Sequence, residues 1–101
     1  MSMGNLARMA QQMQADMARV DAELAALQVQ GSAGGGVVRA VVTGKQDIVS
    51  VIIDPSVVDP SDVEMLQDLV VAAVGEALAN ARRSAEEKLA RVTGGLRIPG
   101  L

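Results

Sequence analysis

The chain has 101 residues, the length of a single domain, and a net charge of −3. It contains neither Cys nor His, which excludes disulfides and removes the usual zinc ligands and general bases. It also lacks Phe, Tyr and Trp, so we expect a core of Val, Leu, Ile, Ala and the six Met. A small core without rings favours association with a second copy.

Charge is distributed unevenly along the sequence. Residues 54–77 contain six acids and no base, whereas residues 78–101 contain five bases and two acids. The middle of the chain is therefore acidic and its C-terminal part basic. There is no secretion signal and no apolar run near ~18 residues, so we expect a cytoplasmic protein without a membrane contact.

The first predicted element is a long helix from residue 3 to about residue 28, because apolar residues recur there at spacings of three and four. The stripe consists of Leu6, Met9, Met13, Met17, Val20, Leu24 and Leu27. Two interpretations are equally open. The helix packs on its own sheet, or the stripe contacts a partner as in a coiled coil.

A small antiparallel sheet is predicted next, over residues 29–54. Val29 and Gln30 form a short first strand, and the Gly-rich residues 31–36 form a flexible turn. Residues 37–43 and 48–53 are rich in β-branched side chains and form a hairpin. Both faces of the last strand are apolar, so we expect the sheet to be covered on both sides or to meet another sheet.

A second long helix is predicted over residues 59–93. Asp59 serves as its cap, and Ser61 with Glu64 forms a capping box. Such a helix would be roughly 45–50 Å long, whereas a compact domain of this size is only about 26 Å across. Its far end must therefore project beyond the sheet, and residues 94–101 are expected to form a flexible tail.

The sequence predicts no catalytic site. No Ser, Thr or Lys has a His to activate it, and the Gly-rich run lacks both the strand–turn–helix setting and the Lys of a phosphate loop. The acids Asp54, Asp59 and Asp62 lie at element ends, where capping explains them. We therefore expect no enzyme activity, cofactor, metal or small-molecule substrate.

The basic residues of the two helices are the candidates for nucleic-acid binding. They are Arg8 and Arg19 on the first helix, and Arg82, Arg83, Lys88 and Arg91 on the second. Pairing of Arg83 with Glu87, and of Glu87 with Arg91, would make the second helix a self-paired, solvated face. In a dimer, however, each projecting end occurs twice, and two basic prongs would contact duplex phosphates. Without aromatic residues, single-strand binding by stacking is disfavoured.

Several segments resemble the YbaB/EbfC family of bacterial nucleoid-associated proteins. They occur in order over nearly the whole chain: Asn5-Leu6, residues 11–14, the Gly-rich turn before residues 37–44, Ile53-Asp54-Pro55-Ser56, residues 64–73 and residues 94–100. The I-D-P-S and M-L-x-D-L-V-x-A-A pieces are together the most specific.

This resemblance implies an α+β fold and a tweezer-like homodimer. The subunit would have a helical arm (1–28), a three-stranded antiparallel sheet (29–54) that joins its copy at the dimer centre, and a long C-terminal helix (59–93). The resemblance also implies double-stranded DNA binding with weak or broad sequence preference, in nucleoid organisation or gene regulation. By position, the phosphate-contact residues would be Arg8, Arg19, Arg82, Arg83, Lys88 and Arg91.

One feature departs from the family pattern, in which the first helix is usually richer in Lys. Here two Arg stand against Asp16, Asp21 and Glu23, so we expect low affinity at physiological salt unless several dimers bind together. The alternative function is a dimeric adaptor or structural protein that binds partner proteins through its Met-rich helix faces, since such faces adapt to varied surfaces.

Overall fold

Two long helices and a three-stranded antiparallel sheet make up the part of the chain described by the computed structural model, residues 2–92. In chain order they are α1 (Met3–Ala26), β1 (Gln28–Ala33), β2 (Val38–Thr43), β3 (Ile48–Ile53), a short 3-10 helix (Pro55–Val57) and α2 (Val63–Val92). The predicted α+β fold class is confirmed. The predicted flexible tail, residues 94–101, lies outside the described residues.

Helix α1 is largely free of contacts with the sheet. The hydroxyl oxygen of Ser2 caps its start by accepting from the backbone N–H of Asn5 at 3.3 Å. Only Val20 and Leu24 of its apolar stripe are buried, and the Met side chains further toward the N-terminus are exposed. Packing on the sheet and on α2 therefore explains only the last turns of the stripe.

Strand β1 is longer than predicted and takes in part of the expected turn. Residues 31–33 pair with β2, Gly31 opposite Ala40, and the turn is confined to residues 34–37. A Cβ on Gly31 would lie 2.6 Å from the carbonyl oxygen of Ala73 and 2.8 Å from the Cα of Ala77. Gly31 thus allows a close approach of the α2 backbone to β1. The predicted turn was wrong for residues 31–33, which belong to the strand.

The core is a layer of small side chains between β2 and α2. Val38, Ala40 and Val42 on the strand meet Ala73, Ala77 and Ala81 on the helix, and all six are fully buried. The five described Met residues are all exposed, so the prediction that Met fills the core was wrong. The Ala stripe brings the helix backbone close to the sheet and leaves no room for long side chains.

The two edge strands of the sheet differ in how their outer backbone groups are hydrogen-bonded. The strand order is β1-β2-β3, so β1 and β3 are both edges. At β1, the Ser32 N–H donates to the Glu76 carboxylate at 3.0 Å, and the Asn80 side-chain amide donates to the Gln30 carbonyl at 2.9 Å. Side chains of α2 therefore satisfy two backbone groups on the β1 edge. Within the described chain, β3 pairs with β2 alone.

Helix α2 begins later than predicted. The Asp62 carboxylate accepts from the Met65 N–H at 3.2 Å and caps it, so the helix starts at Val63 and the expected Ser61–Glu64 box does not form. Asp59 instead holds the preceding turn by accepting from the hydroxyl and the backbone N–H of Ser61, at 2.7 and 2.9 Å. These two bonds lower the pKa of Asp59, the hydroxyl contributing most.

A similar turn, closed by an aspartate side chain, precedes the 3-10 helix. The Asp54 carboxylate accepts from the backbone N–H of Ser56 at 2.9 Å, and this bond is the main cause of a lowered pKa at Asp54. The predicted capping role is therefore confirmed for Asp54 and Asp62, whereas Asp59 holds a turn and does not cap α2.

The described chain is strongly elongated. It measures 70 × 27 × 16 Å with a radius of gyration of 19.3 Å, against the ~13 Å of a compact domain of 100 residues. α1 and the C-terminal half of α2 extend together away from the sheet, and we call this pair of helix segments the arm. Neither helix, within residues 2–92, is long and apolar enough to cross a membrane.

Candidate nucleic-acid interface

All six predicted contact residues lie on the arm. α1 runs toward the sheet, whereas the C-terminal half of α2 runs away from it. The two helices are therefore antiparallel where Glu23 of α1 meets Lys88 of α2. A cleft of about 350 Å³ separates them. We call it the arm cleft; it is lined by Asp16, Arg19, Val20, Glu23, Lys88, Arg91 and Val92. The structure thus brings together three predicted cations, Arg19, Lys88 and Arg91, with two acids that sequence reasoning did not place there.

Two of the three cations in the arm cleft are neutralised by the acids beside them. Glu23 bridges the helices, with Oε2 3.3 Å from Lys88 Nζ and Oε1 3.5 Å from Arg19 Nη1. Arg19 Nη2 also lies 3.3 Å from Asp16 Oδ1. Only the Glu23–Lys88 pair joins α1 to α2. All three pairs reduce the positive potential that the arm presents.

The remaining candidates, Arg8, Arg82, Arg83 and Arg91, are exposed, and none of them forms an ion pair with a carboxylate of residues 2–92. Among the described residues, no ion pair joins Arg83 to Glu87 or Glu87 to Arg91, so the expected self-paired face was wrong. Arg83 turns back by one helical turn and donates to the Asn80 side-chain oxygen at 3.3 Å. Arg82 and Arg91 are open to solvent, and all three guanidinium groups can meet an external anion.

The candidate cations of the two helices lie on several sides of the arm and do not form one stripe. Successive residues of an α-helix are rotated by about 100°, so Arg82, Arg83 and Lys88 point in three directions. Arg8 is twelve residues before the buried Val20, about 18 Å further along the arm. The arm therefore offers separate cations on several sides, an arrangement suited to charge contacts and not to reading base edges.

Two further cations were missed by sequence reasoning. Lys45, in the turn between β2 and β3, reaches the base of the arm, with Nζ 3.1 Å from Asp21 Oδ1. No local pattern signals this contact, because the two residues are 24 positions apart. Arg39 is exposed on the sheet face opposite α2, which the alternation of β2 with buried Val38 and Ala40 would have indicated.

Charge is separated along the molecule. The acids between Asp54 and Asp68 lie around the start of α2, at the end far from the arm. The arm carries six bases and five acids, whereas residues 54–68 carry five acids and no base. A polyanion is therefore repelled by the start of α2 and meets its cations on the arm. The fold and its exposed cations define a protein equipped to bind a polyanion such as nucleic acid.

Comparison with known proteins gives the family. The chain belongs to the YbaB/EbfC DNA-binding family, which residues 1–96 match. It is 52% identical to a nucleoid-associated protein of Acetivibrio thermocellus over 99% of this chain and 89% of that one. It is 48% identical to a nucleoid-associated protein of Moorella thermoacetica over 99% of both chains.

A solved structure supports the fold. The crystal structure of an uncharacterized protein, HP0035 from Helicobacter pylori, superposes with a TM-score of 0.68, covering 94% of this chain and 96% of that one. The two sequences are 20% identical, so this likeness concerns the fold alone.

Proposed function

We propose that the protein binds double-stranded DNA through phosphate contacts made by the arms of a homodimer, with little sequence specificity. The observation that carries this proposal is the set of exposed arginines on α2 without carboxylate partners among the described residues. The contact residues would be Arg8, Arg19, Arg82, Arg83, Lys88 and Arg91. In the cell the protein would act at the cytoplasmic nucleoid, organising the chromosome and regulating gene expression.

Low sequence specificity follows from the side chains that the arm offers. Direct readout needs several hydrogen-bonding side chains on one helix face that enters a groove together. The cations of α2 point in different directions, and phosphates are the target that separate cations can reach. Family membership and the names of the relatives support the DNA-binding part of this proposal.

Sequence preference can be tested directly. We expect two duplexes of equal length and unrelated sequence to bind with affinities within about threefold, because phosphate contacts carry no sequence information. Fluorescence anisotropy titration at low salt measures both. A single duplex bound with a large preference would contradict phosphate-dominated binding, and no binding to either duplex would contradict the proposed function.

A homodimer is supported by the exposed strand β3. Its edge has no partner strand among the described residues, and Ile48, Val49, Val51 and Ile52 are exposed, Ile48 by 59%. An apolar edge strand of this kind pairs with another chain unless it is protected. A second copy joined at β3 would bury these side chains and place two arms on one particle.

We expect Val51→Lys to convert the dimer into a monomer, because the substitution puts a charge into the apolar contact. The mass in solution, measured by light scattering over a range of concentrations, detects the change. Val71→Lys is the matched control, since Val71 is 71% exposed on α2, away from β3. A wild-type monomer at all concentrations, or a Val51→Lys dimer as tight as the control, would contradict a β3 interface.

A second candidate function is protein binding by α1. Met9, Met13 and Met17 are exposed on one side of the arm, and such flexible side chains suit a partner helix. A pull-down tests this function. Partner proteins that stay bound after nuclease treatment but do not bind a Met9→Gln, Met13→Gln variant would favour it. Partners lost on nuclease treatment would instead favour DNA.

A further inference from the structure

Glu23 holds two cations of the arm cleft with a single carboxylate. One oxygen is 3.5 Å from Arg19 on its own helix, and the other is 3.3 Å from Lys88 on the facing helix. A phosphate group has the same property, since its anionic oxygens accept from two cations at once. Glu23 therefore lies where a phosphate would bridge α1 and α2.

The cations held by Glu23 remain accessible from solvent. The Arg19 side chain is 59% exposed, the Lys88 side chain is 27% exposed, and the cleft beside them extends to Arg91. Ion pairs exposed to this degree are weak, so an external anion can compete with the carboxylate. The carboxylate nevertheless repels a phosphate that approaches either cation.

We propose that Glu23 limits DNA affinity by occupying the phosphate position between Arg19 and Lys88. This inference rests on the proposed function. It divides the cations of the arm into two groups. Arg8, Arg82, Arg83 and Arg91 contact phosphates at once, whereas Arg19 and Lys88 do so only when Glu23 is displaced. Glu23 is thus a residue that sets affinity without contacting DNA itself.

The substitution Glu23→Gln separates this role from a structural one. The amide keeps the size of the side chain, and its oxygen still accepts from Lys88, so the two helices remain packed. The loss of the negative charge releases Arg19 and Lys88 for phosphate. We expect affinity to rise roughly two- to fivefold for each arm bound. The plot of log K against log salt should become steeper by about 0.9 for each new contact.

The matched control is Glu64→Gln. Glu64 is an exposed acid in the first turn of α2, at the end far from the arm, and its replacement changes the net charge by the same amount. Both variants and the wild type are titrated with one duplex at several salt concentrations, and their thermal unfolding is measured alongside. A larger gain and a steeper slope for Glu23→Gln than for Glu64→Gln support the proposal.

Two further variants keep the proposal testable if Glu23→Gln unfolds more easily. Asp16→Asn frees Arg19 from its second acid alone and should give a smaller gain. Adding Lys88→Gln to Glu23→Gln should remove part of the gain, which a double-mutant cycle quantifies. Equal gains for Glu23→Gln and Glu64→Gln, with a wild type that binds, would overturn this inference alone. No binding by any variant at low salt would overturn the proposed function as well.

Discussion

The replacement of Gly31 by valine is expected to lower the free energy of unfolding by about 3 kcal/mol, near the upper end of overpacking effects. A Cβ at this position would meet the α2 backbone, 2.6 Å from the Ala73 carbonyl oxygen and 2.8 Å from the Ala77 Cα. Because backbone atoms cannot rotate away as a side chain can, the whole helix must move off the sheet. That movement would open the contact between β2 and α2, which forms the core.

Urea denaturation followed by circular dichroism measures this effect. Gly75→Ala is the control, since Gly75 lies within α2 and a Cβ added there would have nothing within 4 Å. Ala there should stabilise the helix by about 0.8–1 kcal/mol. An unchanged unfolding midpoint for Gly31→Val would contradict the close contact between α2 and β1.

The double substitution Arg82→Glu, Arg83→Glu is expected to weaken DNA binding by about tenfold or more at low salt. Both residues are exposed on the arm, and a dimer carries four of these arginines. If all four contact phosphates, the salt slope should fall by up to about 3.6. Each introduced carboxylate also repels the duplex, so the loss should exceed that of a change to Gln.

The control for this loss is Arg39→Glu with Lys45→Glu, which changes the net charge equally. Arg39 lies on the sheet and Lys45 in the β2–β3 turn, outside the outer part of the arm. Anisotropy titration compares the two variants, with mass and circular dichroism confirming that each is folded. Equal weakening by both variants would show that binding depends on total charge and not on the arm.

The elements with a clear period were predictable from sequence. The β-branched hairpin and the long C-terminal helix were found because alternation and the 3.6-residue period extend over many positions. Only the first part of β1, at Val29 and Gln30, was predicted. Gly31 and Ser32 were missed because they have low strand propensity and extend only through pairing with β2 and contact with α2. The start of α2 was misplaced because Asp59 and Asp62 are both good caps, and tertiary structure decides between them.

In the candidate site, too, local spacing was predictable from sequence and tertiary contacts were not. Helical spacing placed the cations on projecting segments, and the elongated shape confirms that these segments leave the core. Spacing alone did not indicate that Lys88 meets Glu23, 65 positions earlier, because only the antiparallel packing of α1 on α2 joins them. The apolar stripe of α1 likewise predicted a contact surface without indicating what covers it, and the Met residues assigned to the core are exposed.

The most direct test of phosphate binding by the arms is the salt dependence of duplex binding by the wild-type protein, with its mass measured under the same conditions. If Arg82, Arg83 and Arg91 of both subunits contact phosphates, log K should fall linearly with log salt, with a slope of about −5. The mass should be that of a dimer. A slope near zero, or no binding at low salt by a protein of any mass, would contradict it.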